Sequence, residues 1–384
     1  MNGADAGTGG RDVALVLGSS TGGIGRHVAS LAAGLLARGD AVTVYSPAET
    51  ERQFDFAGLG ATHVALEIPA SPRPADARAV AALRRGLADR PAGVIHAHGL
   101  RAGLVAALAR RNGTPLVVTW HNAVLGRGVK AKALAVAERY VARSADLNLG
   151  ASADLVDRAR ELGGRDVRLG PVAAPILPAP ARTRDQVRAE LNAGDGPLVL
   201  SVGRLHPQKG YDLLVTAAAR WRELRPAPTV AIAGTGPAYR KLAAQISTTR
   251  APVLLLGHRT DVADLLAAAD LAVVSSVWEA RQLFAQEALV AGAPLVATAV
   301  GGLPGLVGDA AVLVPAGDVD ALDTAVRDLL GDAQRRAELS AAARRQAASW
   351  PTEADTISMI SDLYDELGAA AGGSSEEPAA GGRD

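Results

Sequence analysis

Two cations and two carboxylates stand in loops that follow apolar, strand-like runs. Arg204 and Lys209 follow the apolar run "PLVLSVG" in the stretch "SVGRLHPQKGYDLL", and Pro207 and Gly210 shape the turn that leads into "YDLLVTAAARW". Arginine offers a planar fork of donors and lysine a mobile point charge. A helix N-terminus beside them adds backbone N–H groups, so the set suits a diphosphate. Two solvated surface cations are the ordinary reading of such a pair, but a place directly after a strand argues for function. Further along, "WEARQLFAQEALVAG" puts Glu279 in the loop after "DLAVVSS", and Glu287, seven intervening residues later, at the opening of the next helix. Carboxylates are favoured at a helix start for electrostatic reasons alone, so the two Glu are by themselves a weak signal that gains weight only beside the Arg204/Lys209 motif.

The first half of the chain carries glycines and histidines. In "GSSTGGIGRHV" the loop after the first strand opens a helix through Gly22 and Gly23. Dinucleotide binding is disfavoured there, because the G-x-G-x-x-G spacing is missing and no acidic residue ends "AVTVYSP". The Gly-x-x-x-Gly-x-Gly loop of short-chain dehydrogenases fails as well, with Ile24 where its last glycine belongs, and Tyr140 lacks a lysine four residues on. His96 and His98 end "GVIHAH" and His121 ends "PLVVTWH". A lone histidine is more often a satisfied polar residue than a catalyst, and His96 is as readily core as cleft. Three histidines raise the question of zinc, but no H-E-x-x-H or comparable spacing supports it, so no metal site is expected. Asp318 and Asp320 in "GDVD" resemble a DxD metal motif, and capping of the helix "ALDTAVRDLLG" explains them better.

These residues need a frame. Short runs rich in Val, Leu and Ile ("DVALVLG", "AVTVYS", "GVIHAH", "PLVVTW") alternate with helical patterns such as "GRHVASLAAGLLARG". Strands apolar on both faces between amphipathic helices mean a parallel sheet covered on both sides. The same grammar restarts with "PLVLSVG", "TVAIAGTG", "VLLLGH", "DLAVVSS" and "PLVATAV". The expected fold is therefore α/β, with two Rossmann-like doubly wound domains facing across a cleft. Expected boundaries are a disordered N-terminus over 1–10, a first domain over 11–174 and a linker over 175–196. A second domain follows over 197–350, then a helix over 351–367 crossing back to the first, and a disordered tail over 368–384. Ligands of such sheets sit beyond the carboxyl ends of the strands, which is where the motifs fall.

Composition bounds the rest. The 384 residues include 40 basic and 40 acidic side chains and no cysteine. A balanced charge gives no field for nucleic acid, and without cysteine there are neither disulfides nor thiolate metal sites. No spanning helix is expected, and "MNGADAGTGGRD" lacks a secretion signal, so a cytoplasmic location is the expectation. The segment 127–143 carries Arg127, Lys130, Lys132, Arg139 and Arg143. It reads first as a solvated helix face and second as a contact for the inner face of a membrane.

In order along residues 11–350, "GSSTGGIGRHVASLAAGLLARGDAVTVYSP", "HAHGLRAG", "VVTWHN", "VGRLHPQKGYDLL", "IAGTGP", "LGHRTDVADLLAAADLAVVSSVWE" and "GAPLVATAVGGLP" resemble the retaining glycosyltransferases of family 4, which have the GT-B fold. The resemblance implies transfer of a sugar from a UDP- or GDP-sugar to an acceptor such as a cell-envelope glycolipid, a polysaccharide or a secondary metabolite, with no cofactor. It implies that Arg204 and Lys209 grip the diphosphate, Glu287 the ribose hydroxyls and Glu279 the transferred sugar. His258 and Arg259 in "GHR" would line the base, and Gly234 and Gly236 would let the backbone approach the nucleotide. Leu283 and Phe284 would belong to the same donor site, His121 would lie beside the donor sugar, Gly22 and Gly23 would let their loop meet phosphate or acceptor, and His98 would face the acceptor. Two positions depart from the family pattern. Ala280, Arg281, Gln282 and Leu283 replace a glycine-containing loop, which leaves the donor sugar open, and Gly305 stands where a helix-start Glu is common, from which an effect on stability is expected. A nucleotide-sugar 2-epimerase and a non-catalytic nucleotide-sugar-binding protein are the competing readings.

Overall fold

The computed structural model describes residues 10–20, 22–68, 76–111, 113–124, 129–170, 172–173 and 176–373. Arg127, the side chain of Lys130 and most of the acceptor-loop stretch 69–78 lie outside the described residues. The chain forms two compact units, Met1–Ala173 with Pro351–Asp384, and Ala174–Trp350.

The first unit is built on β1 (Asp12–Leu17), β2 (Ala41–Ser46), β3 (Thr62–Ala65), β4 (Val94–His98), β5 (Leu116–Trp120), β6 (Leu147–Gly150) and β7 (Val167–Leu169). All pairings are parallel, in the spatial order β3-β2-β1-β4-β5-β6-β7. The second unit holds β8 (Leu198–Val202), β9 (Thr229–Ala233), β10 (Val253–Gly257), β11 (Leu271–Val274), β12 (Leu295–Thr298) and β13 (Val312–Val314). Their order is β10-β9-β8-β11-β12-β13, again parallel throughout.

The reason these runs became parallel strands is visible in how their residues divide. Leu198, Leu200, Ala231, Ala233, Ala272 and Val274 pack into one core. The alternate residues Val199, Val230, Ile232, Leu271 and Val273 pack into another, on the opposite face. A period of two puts successive side chains on opposite faces, so only a run apolar at every position fills both cores. In each sheet the strand order reverses once, between β1 and β4 and between β8 and β11. Loops leaving the carboxyl ends of those paired strands diverge and leave a crevice, the switch point of a doubly wound sheet.

Two boundaries differ from expectation. The stretch read as a linker, 175–196, is part of the second unit. Thr183 and Gln186 form a reciprocal capping box that starts the helix Arg184–Glu190, and Val187 and Leu191 enter the core. The terminal helix runs Glu353–Gly373, so residues 368–373 are helical and not a tail. It begins with mutual hydrogen bonds between Thr352 and Asp355 and belongs to the first unit, where Ile360, Leu363 and Tyr364 join Leu31 and Leu35 in the core. Among the described residues no helix is long and apolar enough to cross a membrane.

Candidate active site

In the second unit the crevice between β8 and β11 brings the two loops of interest together. Lys209 ends a short 3-10 turn, Pro207–Lys209. Gly210 follows with φ +62°, and a Cβ there would lie 2.0 Å from the carbonyl oxygen of Ser275; only glycine permits this approach and this conformation. The loops are then stitched. The amide of Val277 donates to the carbonyl of Gln208 (2.8 Å), Gln208 Nε2 donates to the carbonyl of Trp278 (2.9 Å), and Ser275 Oγ donates to the carbonyl of Lys209 (3.0 Å).

That stitching sets Lys209 Nζ 2.5 Å from Glu279 Oε1. The same oxygen accepts from Ser276 Oγ at 2.7 Å, and Thr298 Oγ1 holds the carbonyl of Ser276 at 2.6 Å. Glu279 and Glu287 are both buried. Arg204 is exposed and, among the described residues, enters no ion pair. The β8/β11 crevice thus holds one cation–carboxylate pair, Lys209 with Glu279, and the loop that leaves β8 carries the exposed Arg204.

Gly234 and Gly236 have a structural reason that spacing did not reveal. Leu205 donates to the carbonyl of Thr235 (2.8 Å) and Ala238 to the carbonyl of Leu205 (2.9 Å). A Cβ on Gly234 would lie 1.9 Å from the carbonyl oxygen of Gly203, and one on Gly236 2.4 Å from that of Leu205. These glycines let their loop close onto the backbone that carries Arg204.

Other expected donor residues are placed less simply. His258 is exposed. The Arg259 guanidinium donates to Asp261 (2.7 and 2.6 Å) and to Glu190 (2.7 Å), and these carboxylates raise its pKa. Its guanidinium is therefore engaged by carboxylates of the fold. Phe284 is buried in the core, so its ring is not part of a site, because the phase of the helix Leu283–Ala291 turns that position inward. Leu283 is the first residue of this helix, and Glu287 sits one turn inside it instead of opening it. The cap is Gln282, whose side chain accepts from the amide of Ala285 at 2.9 Å. Arg281 stacks its guanidinium 5.4 Å from the Trp350 ring centroid and donates to Gln286 Oε1 at 3.0 Å; burial pushes its pKa down to about 10. Asp318 caps its helix, accepting from the amide of Ala321 at 2.9 Å, as the sequence suggests.

In the first unit, Gly22 and Gly23 start the helix Gly23–Ala37 after β1. Gly22 has open space around the place of a Cβ, and Ser20 Oγ accepts from the amide of Gly25 at 2.9 Å. His98 at the end of β4 and His121 just after β5 meet, Nδ1 to Nε2, at 3.2 Å. A third ring joins them that sequence reading missed: His27 lies 5.6 Å, centroid to centroid, from each. The signal was available, a histidine one turn into a glycine-opened helix. His96 is core: its nitrogens bond Tyr364 Oη and Thr119 Oγ1, both at 2.6 Å. Burial is the main cause that lowers every one of these pKa values, to about 4 for His27 and about 3 for His96, and neighbouring rings push His98 and His121 further below the usual range. At neutral pH the cluster is uncharged, each ring offering one N–H and one lone pair.

The chain matches two protein-family models, "Glycosyl transferase 4-like domain" over residues 22–175 and "Glycosyl transferases group 1" over 183–346. Among similar proteins is the glycogen synthase of Mycobacterium tuberculosis, 32% identical, with 88% of this chain and 90% of that protein covered. Another is the D-inositol 3-phosphate glycosyltransferase of Salinispora arenicola, 36% identical over 77% of this chain and 74% of its own length. Among solved structures, Anabaena Alr3699/HepE in complex with UDP and glucose superposes with a TM-score of 0.79 at 21% identity, covering 92% of this chain and 99% of that one. The fold is GT-B.

Proposed function

Because this chain belongs to the group 1, family 4 glycosyltransferases, we propose that its second unit binds a UDP- or GDP-sugar and that the sugar is transferred, with retention, to an acceptor hydroxyl. The observation that supports this most is the Lys209–Glu279 pair, 2.5 Å apart at the β8/β11 switch point. A diphosphate entering beside Arg204 competes with Glu279 for the Lys209 ammonium, and the released carboxylate is then free to accept from sugar hydroxyls. We assign Glu287 to the ribose hydroxyls, and His121, Gly22 and Gly23 to the donor-side roles that the family pattern gives those positions.

In the step itself the bond from the anomeric carbon to the leaving phosphate oxygen breaks, and a bond from the acceptor oxygen to that carbon forms on the same face. The acceptor proton goes to the departing diphosphate. Negative charge grows on that diphosphate, and Arg204 and Lys209 offset it as fixed cations whose reorganisation is already complete. No protein nucleophile and no metal ion are invoked.

Incubation with a panel of UDP-, GDP- and ADP-sugars tests the reading, with glycogen and D-inositol 3-phosphate as first acceptors after the names of the relatives. Acceptor-dependent nucleotide release and a product of unchanged anomeric configuration are expected. Release of an epimerised sugar without acceptor, or tight binding with no release under any condition, would overturn it.

We place a peripheral membrane contact on the helix Val129–Ser144. Lys132, Val136, Arg139, Tyr140 and Arg143 share one exposed face there, with Val136 71% exposed, a mixture of cations and apolar groups suited to an anionic interface. Co-sedimentation with phosphatidylglycerol vesicles, lost on Val136→Asp, is expected; equal recovery of both proteins would remove the assignment.

A further inference from the structure

We propose that Arg281 is a positioning residue for the donor site, a role that rests on the donor reading of the second unit. It clips the loop that carries Glu279 to the helix turn that carries Glu287, and so sets the two carboxylates relative to each other. Arg281 lies two residues after Glu279, and Gln286 immediately precedes Glu287. Arg281 Nε donates to Gln286 Oε1 at 3.0 Å, across the start of the helix Leu283–Ala291. The guanidinium also stacks 5.4 Å from the Trp350 ring centroid, and Trp350 is itself anchored, its Nε1 donating to the carbonyl of Leu306 at 3.2 Å. The Glu279 end of the loop is tied to other elements. Its carbonyl accepts from the amide of Gly302 at 2.8 Å, and Lys209 and Ser276 hold its Oε1. Arg281 adds the link from this anchored loop to the turn that bears Glu287.

The clip is costly, unlike ordinary packing. Gln286 is 0% exposed, and its Nε2 and Arg281 Nη2 are both buried with no hydrogen-bond partner. Turning the Gln286 amide over gives no relief, because it would set an N–H donor against the Arg281 N–H. Among the described residues no carboxylate pairs with Arg281, and burial lowers its pKa. The Trp350 face offsets part of the lost solvation. Arg188 shows how a guanidinium that serves only the fold is held in the same unit: Asp270 and the carbonyls of Ala268, Gly194 and Gly196 all accept from it. Unmet donors and an unpaired, half-buried charge destabilise a fold. Local costs of this kind cluster where a fixed geometry serves function.

Arg281→Leu and Gln286→Leu each remove the clip together with an unmet donor. Both are compared with the unsubstituted full chain by melting, by calorimetric titration with UDP and with GDP, and by kcat/KM for the donor. The melting temperature is expected to stay equal or rise in both variants, while nucleotide affinity and donor kcat/KM fall on the order of tenfold. The double variant is expected to lose no more than either single one, since both remove the same link. A lower melting temperature in both variants, unchanged affinity and kcat/KM, or fully additive losses would overturn the proposal. If the unsubstituted chain binds neither nucleotide, the donor reading fails by itself, and hydrogen exchange of the amides over 279–287 in the free chain decides on the clip. Faster exchange in Arg281→Leu at an unlowered melting temperature supports it, and unchanged exchange sinks it.

Discussion

Lys209 and Glu279, 70 residues apart in sequence, share a hydrogen bond of 2.5 Å. The relationship exists because β8 and β11 are neighbours in the sheet although two strands separate them in the chain. It also means that the Lys209 ammonium is already paired in this structure, unlike Arg204, which enters no ion pair among the described residues.

Removal of the Lys209 ammonium is the most direct test of its electrostatic role. Lys209→Ala is expected to lower kcat on the order of 10²-fold, the cost of one preorganised donor at a developing charge, with a smaller change in donor KM. Steady-state kinetics with a melting curve as control checks this; equal losses in kcat and in stability alone would place the residue in the scaffold.

Glu287 is buried one turn into its helix. Glu287→Ala is expected to weaken nucleotide binding by about tenfold or more, since hydrogen bonds to charged groups contribute about 1.5–3 kcal/mol. Calorimetric titration with UDP and GDP measures it, and unchanged affinity for both would remove Glu287 from the nucleotide site.

Gly210→Ala imposes a left-handed conformation at a cost of about 1–2 kcal/mol before any clash, and the added methyl would meet the Ser275 carbonyl at 2.0 Å. Both stability and donor affinity are expected to fall together, because the Lys209 turn must shift. Gln208→Ala, which removes only the 2.9 Å bond to Trp278, is expected to reduce affinity with a smaller change in melting temperature.

Gly305 lies exposed in the short helix Leu303–Val307, and a Cβ there meets nothing within 4 Å. Gly305→Ala is therefore expected to stabilise the chain by about 0.5–1 kcal/mol. A melting temperature higher by a few degrees is the result to look for, and a decrease would show that the helix needs glycine there.

Acid should loosen the start of the second unit. Arg259, with Arg182, holds Glu190 below the usual carboxylate range, and a hydrogen bond from Arg259 does the same for Asp261. A carboxylate with a lowered folded pKa stabilises above its unfolded value, about 4, and that contribution disappears as pH falls through the folded pKa. Hydrogen exchange of the helix Arg184–Glu190 is expected to accelerate below about pH 4, and Arg259→Ala to reduce the part of that pH dependence carried by Glu190 and Asp261.

Where the candidate site residues sit could largely be read from the sequence. Arg204, Lys209, Glu279, His98 and His121 each follow a run apolar on both faces, and such runs can only be buried parallel strands whose carboxyl ends carry the ligand loops. The helix cap at Asp318 was legible for the same local reason, a short carboxylate immediately before an amphipathic repeat. Phe284 was not, because whether a residue near a helix start faces core or crevice depends on the rotation of that helix against its sheet. Arg259 was not either, because Glu190 and Asp261, which engage it, come from another element and from its own loop.

The sequence by itself determined the two α/β units, the loops that matter and the chemical types placed on them, since local periodicity and turn residues are properties of neighbours in the chain. Only the tertiary structure decided which distant side chains meet: Lys209 with Glu279, His27 with His98 and His121, the glycines 234 and 236 with the backbone that carries Arg204. Those encounters follow from strand order in the sheets, and strand order is settled by how whole helices and strands pack, which no single stretch of residues encodes.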